Sequence, residues 1–107
     1  MAEEGTLTAR GVSGATYEFW CYPWDTTLKH EGGVYLVLKK TTRNGNYDML
    51  YVGQTADLSE RFEAHHKKPC FDRNGKTHIA ARLENSERTR LLVEADLIQN
   101  YRPSCNG

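Results

Sequence analysis

The run Val34–Lys39 (VYLVLK) constrains this chain more than any other segment. A strand with one wet face alternates apolar and polar residues, whereas a nearly unbroken apolar run reads as a central strand covered on both faces. Layers on both sides of that strand must therefore come from a chain of 107 residues. That length suits one domain and not two. A domain of this size buries about two thirds of its unfolded surface, so it can hold a core without staples. Tyr47–Gln54 (YDMLYVGQ) reads as a second strand, and Asn44-Gly45 between the two is a strong hairpin signal. An antiparallel pair is expected.

The other elements follow from local pattern. Tyr17–Tyr22 (YEFWCY) is aromatic-rich and reads as a strand, with Pro23 ending it or marking an edge. Residues 1–14, small and polar with Gly5, Gly11 and Gly14, read as loose. Asp57 to Lys67 reads as a helix capped by Asp57 with Glu60 three residues later, and Leu58, Phe62 and His65 form its stripe. Pro69 is expected to stop it, and residues 70–76 to turn around Asn74-Gly75. Thr77–Leu83 (THIAARL) reads as a third core strand. Ser86 caps a long helix to about Tyr101, and Pro103 ends it. The fold class expected is α/β in the α+β sense. It has a small, mainly antiparallel three-stranded sheet flanked by helices, with an extra N-terminal strand. Residues 1–32 form an extension carrying that strand, and residues 33–107 form the main domain.

Charge is balanced at 14 basic and 14 acidic residues, which weighs against a dedicated nucleic-acid binder. Its distribution is uneven: residues 61–90 hold eight basic and four acidic side chains plus three histidines. Such a stretch can face phosphate or can be a solvated surface of mixed charge. Cys21, Cys70 and Cys105 are odd in number and lie at no metal-finger spacing. Reduced thiols are the expectation, and a disulfide framework is not. Met1–Arg10 lacks the apolar core of a signal peptide, and no apolar run nears the roughly 20 residues that span a bilayer. The protein is read as cytoplasmic, with no membrane partner.

On the last helix Leu91, Ala95, Ile98 and Tyr101 are expected on one face, with Asp96, Gln99 and Asn100 opposite. The 100° step per residue puts Glu94 among the apolar residues, between Leu97 and Ile98. A carboxylate there needs an ion pair or a metal, and periodicity alone favours the ion pair. Arg61 and His65 are four apart and suit a phosphate with a proton to move, or an ordinary amphipathic flank. Tyr35 and Tyr51 sit on the hairpin strands as an aromatic pair. Gly33 and Gly53 flank them and suggest close backbone approach.

Gly33-Val34-Tyr35 and Tyr51-Val52-Gly53 resemble the paired tripeptides of the GIY-YIG nuclease superfamily, with Val for Ile in both. Arg61, eight residues past Gly53, stands where that family has its arginine, and His65 where it has Tyr or His. Glu94 matches the glutamate that binds the metal, and Asn106 a frequent asparagine near the end of the module. The match covers about residues 33–106. Gln54 departs from it, standing where some members have lysine.

The resemblance implies an endonuclease acting on DNA with one Mg²⁺ or Mn²⁺ held by Glu94. Arg61 would offset phosphoryl charge, Tyr35 or His65 would be the general base, and Tyr51 would orient water or phosphate. Gly33, Gly53, Gln54 and Asn106 would position substrate. A protein partner or a homodimer would supply targeting. Both phenols must then share a sheet face. A strict two-residue turn at Asn44-Gly45 would put them on opposite faces, so an odd loop or a bulge is expected. Two other readings stay open on the same fold. One is a catalytically weak nucleic-acid-binding module. The other is a protein-interaction module using Tyr17, Phe19, Trp20, Tyr22 and Trp24. His65, His66 and Cys70 make a weaker zinc candidate that lacks a fourth ligand.

Overall fold

The computed structural model describes residues 5–41, 46–60 and 65–106. Arg61, Phe62 and the Asn44-Gly45 turn lie outside the described residues. Five strands and two helices run in the order β1 (Thr6–Arg10), β2 (Thr16–Pro23), β3 (Gly33–Lys40), β4 (Tyr47–Thr55), α1 (Lys68–Arg73), β5 (His78–Leu83) and α2 (Glu87–Tyr101). One antiparallel sheet holds all five strands in the order β1-β2-β5-β3-β4. The domain is α+β, with a curled sheet, a short helix and a C-terminal helix. No helix among the described residues is long and apolar enough to cross a membrane.

β3 is interior to the sheet, and Gly33 through Leu38 are all buried, as the unbroken apolar run requires. Its alternate residues feed two cores. Val34, Leu36 and Leu38 pack with Phe19, Cys21, Val52, Ala80, Val93 and Leu97 on the α2 side. Tyr35 and Val37 pack with Leu50, Leu58, Phe71, Ile79, Ala81 and Cys105 on the α1 side.

The sheet has five strands where three plus one were expected. Residues 6–10, read as loose, form β1 and pair with β2, and Gly11 and Gly14 make the turn between them. The apolar signal there is only Leu7 and Ala9, too short to outweigh the neighbouring glycines. β2 is not an appendage, because it hydrogen-bonds β5 within the sheet. Its aromatics divide between faces: Phe19 is core, Tyr17 donates to Asp96 Oδ2 at 2.7 Å, and Trp24 meets Phe71 edge-on.

The helix expected over Asp57–Lys67 is not formed in its described parts. Asp57 accepts from the Ser59 N–H and Oγ–H at 2.9 and 2.6 Å, closing a local turn instead of capping a helix. Glu60 accepts from Thr55 Oγ at 2.8 Å. Helix α1 starts at Lys68, within the expected turn region, with Pro69 in its first turn. Proline stops a helix from inside but suits the first turn, where its missing N–H costs nothing.

α2 matches its expected span. Ser86 accepts from the Thr89 N–H at 3.3 Å, and Arg102 closes the helix in the left-handed region at φ 46°. Its buried side differs from the expected one: Arg90, Val93 and Leu97 face the sheet, whereas Leu91 and Leu92 are exposed. Asp96 is not a solvent residue either. It accepts from Ser13 N–H, Ser13 Oγ–H and Tyr17 Oη–H and ties the β1–β2 turn to the helix. That long-range anchor rotates the helix away from the face its leucines alone would select.

Cys70 and Cys105 form a disulfide with Cα atoms 5.9 Å apart, so the expectation of reduced thiols is overturned for this pair. The zinc candidate falls with it, since a bridged Cys70 has no thiolate to offer. Cys21 is buried outside the bridge.

Candidate active site

The β3–β4 hairpin decides whether the two phenols meet. Tyr35 pairs with Gly53 and Val37 with Tyr51, but Leu38 pairs with Met49, leaving Leu50 as an extra residue. That irregularity is the bulge the shared face demands. Tyr35 and Tyr51 consequently lie on one face with ring centroids 6.1 Å apart.

Gly53 is what lets them do so. A Cβ there would lie 2.5 Å from both Tyr35 Cζ and Tyr35 Oη, and 2.8 Å from Tyr51 Cε2. The Tyr35 ring therefore lies across β4, directing its hydroxyl to the sheet edge. Tyr35 is only 5% exposed and cannot swing aside without leaving the core. Gly53→Ala is expected to cost about 1–3 kcal/mol of stability, the usual range for overpacking, and to break the Tyr35–His65 bond. Urea unfolding of the variant checks this, and an unchanged midpoint would contradict the close approach. Gly33 is equally tight, since a Cβ would lie 2.5 Å from the Arg82 carbonyl and 2.6 Å from Leu58 Cδ1. Its role is packing of the loop after β4 onto the sheet.

His65 completes the cluster. Its Nε2 lies 2.9 Å from Tyr35 Oη, and its ring meets Tyr51 edge-on at 5.1 Å. Phe71 of α1 packs against both His65 and Tyr51, at 5.1 and 5.4 Å. The Lys67 N–H donates to His65 Nδ1 at 3.0 Å. An Nδ1 that accepts carries no proton, so neutral His65 holds its proton on Nε2 and donates it to Tyr35 Oη. Burial lowers the His65 pKa, helped by His66 and Lys67, which keeps the ring neutral. Burial also drives the Tyr35 hydroxyl well above its ordinary pKa, with Tyr51 and the Glu94 carboxylate adding to the rise. Tyr51 is raised by burial and by Glu94.

Glu94 therefore acts electrostatically on both phenols. α2 packs chiefly along the edge strand β4, the strand that carries Tyr51. Its carboxyl pKa is raised by burial alone, and no ion pair of Glu94 occurs among the described residues. The interior salt bridge that periodicity favoured is not made by any described residue. Arg90, one turn earlier, is turned away: its Nε–H donates to Gln54 Oε1 at 2.9 Å and its Nη1 to the Glu84 and Asn85 carbonyls at 3.0 Å.

Gln54 and Asn106 lie close by but spend their polar atoms on structure. Gln54 pairs with Val34 on the α2 side of the sheet and holds Arg90. Asn106 Oδ1 accepts the Val52 N–H at 2.8 Å, and its Nδ2–H donates to the Val52 carbonyl at 2.9 Å. The Cys105 N–H donates to the Leu50 carbonyl at 2.8 Å. The C-terminal segment thus covers the open edge of β4, a site prone to pairing with other chains. Sequence reasoning missed Arg90, which fastens α2 to β4 and so sets where Glu94 stands. Its signal was available in the spacing of Arg90, Glu94 and Leu97.

A hard divalent cation takes oxygen donors. A half-buried carboxylate with no ion pair among the described residues, acting on two phenols, fits such an ion. Among the described residues no group of three or more His, Cys, Asp or Glu could hold a metal. The donors therefore fit an ion held by one protein carboxylate, with water and substrate oxygens completing its shell, and not a multi-ligand structural metal. Compared with protein-family models, curated proteins and solved structures, the chain matches none.

Proposed function

We propose that this chain is a GIY-YIG-type endonuclease that hydrolyses DNA phosphodiester bonds with one Mg²⁺ or Mn²⁺. The observation that carries the reading is the half-buried Glu94 carboxylate, with no ion pair among the described residues, acting on two phenols, one of them hydrogen-bonded to His65. A purely structural cluster has no use for an acid whose burial is offset by no described partner.

Glu94 would hold the ion, which supplies Lewis-acid polarisation of the phosphate and favours ionisation of groups near it. Tyr35 would give its own proton to solvent and, as phenolate, take a proton from the attacking water. His65 steadies the resulting phenolate by donating from Nε2, and the Lys67 N–H holds the ring in that tautomer. Tyr51, at the outer side of the pair, orients the phosphate or the water. Negative charge at Glu94 raises both phenols, so a carboxylate carrying a divalent cation, net positive, would lower them instead. Arg61 is assigned the phosphoryl charge on the strength of the sequence resemblance, and lies outside the described residues.

The reaction should quicken with rising pH in the acid range. Protonating His65 at Nδ1 removes the acceptor of the Lys67 N–H and turns the ring. Because burial lowers the His65 pKa, that acid limb should lie below about 6.5, the ordinary histidine value. Measuring kcat/KM from about pH 5 to about pH 8 for the wild type and His65→Asn checks it. The wild type should rise most steeply below the His65 pKa and more gently above it, as the Tyr35 phenolate fraction grows, and the variant should lose the steep part. A rate that falls over this range would make His65 an acid and not a support.

Nicking of supercoiled plasmid with Mg²⁺ or Mn²⁺ tests the function itself. DNA binding without cleavage in either metal would reduce the protein to a binding module.

A further inference from the structure

A second feature lies on the same sheet face as the phenols. Trp20, Ala81, Tyr35 and Gly53 are successive partners across β2, β5, β3 and β4, so they form one row. At the β2 end of that row opens a groove of about 560 Å³. Its floor and walls are Trp20, Leu28, Leu58, Ala81 and Leu83, with Lys29 at the rim. Trp20 is 36% and Leu83 46% exposed, although both are large and apolar. Thr26 Oγ1, in the wall, is buried with no hydrogen-bond partner among the described residues.

We infer that this groove takes an unpaired DNA base of the strand being cut, stacked against Trp20. The inference rests on the nuclease reading above for the identity of the strand. Three properties select the occupant. The groove is apolar with an exposed indole, which suits a flat π-face. Among the described residues its lining carries Lys29 and Arg82 and no carboxylate, so that charge complements a phosphate backbone and opposes a basic peptide. Arg82 directs Nη1 to the Glu18 carbonyl, which leaves Lys29 as the cation at the mouth. Trp20 is two strand spacings from Tyr35, about 10 Å, within reach of a nucleotide neighbouring the scissile phosphate. The volume falls within the range of about 300–1,000 Å³ typical of small-ligand pockets, too small for a duplex.

The role also answers a difficulty raised by composition. A chain with no net positive charge gains little from counterion release over the protein as a whole. Stacking supplies affinity that charge does not. It also steers the protein to DNA with an unpaired base beside the cut, such as a flap, a bulge or a frayed end.

Anisotropy of a labelled short single strand, at fixed low salt and in EDTA, gives the test. The same strand is measured in a blunt duplex and with abasic positions throughout. The full-length wild type should bind the single strand at least about tenfold tighter than the duplex, and lose that preference with the abasic strand. Trp20→Ala should weaken single-strand binding by about 5- to 100-fold, the range of base–aromatic stacking, with Trp20→Phe restoring most of it. Should Trp20→Ala fail to fold by circular dichroism, Leu83→Gln at the same groove replaces it. Equal affinity of wild type and variant, equal affinity for abasic and intact strands, or no binding of any oligonucleotide would each overturn the inference. Plasmid cleavage by both proteins is measured in parallel. Cleavage together with unaltered single-strand affinity in Trp20→Ala removes the groove and leaves the nuclease. Trp20-dependent binding without cleavage supports the groove and removes the nuclease.

Discussion

Replacing Glu94 by glutamine is expected to lower metal-dependent cleavage by about 10²- to 10³-fold while leaving the protein as stable as before, or more so. The two halves of that expectation share one cause. Glutamine keeps the size and shape of the side chain and removes only its charge. In the folded protein that charge is half-buried, raised in pKa by burial, and balanced by no described partner. Under the proposed function such an acid is kept for its chemistry at some cost to the fold. Since the folded pKa lies above the ordinary 4.5, the wild type is relatively more stable when Glu94 is protonated. It loses that advantage as pH rises through the raised value. Glu94→Gln should lack this decline, so the difference in melting temperature should widen between acid and neutral pH. Plasmid nicking with Mg²⁺ and Mn²⁺, and thermal melts at several pH values, read the two effects separately. A variant that still cuts at the wild-type rate would remove Glu94 from the reaction.

Loss of the Cys70–Cys105 bridge is the largest stability effect expected. The cysteines are separated by 35 residues, and a loop of that length gives about 3–4 kcal/mol in the chain-entropy account of cross-linking. Total stability for a domain this size is about 5–15 kcal/mol, so the bridge is a large part of it. The effect should also reach the site. Cys70 lies in α1 beside Phe71, which packs on Tyr51 and His65. Cys105 lies beside Asn106, which clasps Val52 on β4. Opening the bridge loosens the support on both sides of the phenol pair. Urea unfolding with and without a thiol reductant should show the wild type losing most of this stability on reduction. Cys70→Ser with Cys105→Ser should unfold early under both conditions. A shift below about 1 kcal/mol would mean that the covalent link contributes little beyond packing.

Much of the sheet is legible along the chain. The apolar run of β3 places it in the interior, and the hydrophobic pattern of β4 and the cap at Ser86 mark the partner strand and the last helix. The bulge was legible as well, from the need for Tyr35 and Tyr51 to face the same way. β1 was not, because two apolar residues among glycines carry too little signal, and pairing with β2 is what makes them a strand. The helix expected from Asp57 fails for a related reason. Its capping residues are equally good at closing local turns, and Asp57, Ser59 and Thr55 do so here.

The chain's own pattern of apolar residues marked β2 to β5 as strands and α2 as a helix. The family resemblance, and not that pattern, marked Tyr35, Tyr51, His65 and Glu94 as candidates for chemistry. Only the tertiary structure decided how those groups are held. Arg90 on Gln54, Asp96 on Ser13 and Tyr17, and Cys70 on Cys105 join residues 35 to 83 positions apart. Periodicity reports which side of one element avoids water, and it is silent on which distant side chain arrives to meet it. Pairing across the chain carries that information, because a hydrogen bond or a disulfide depends on distance in space and not on spacing along the backbone.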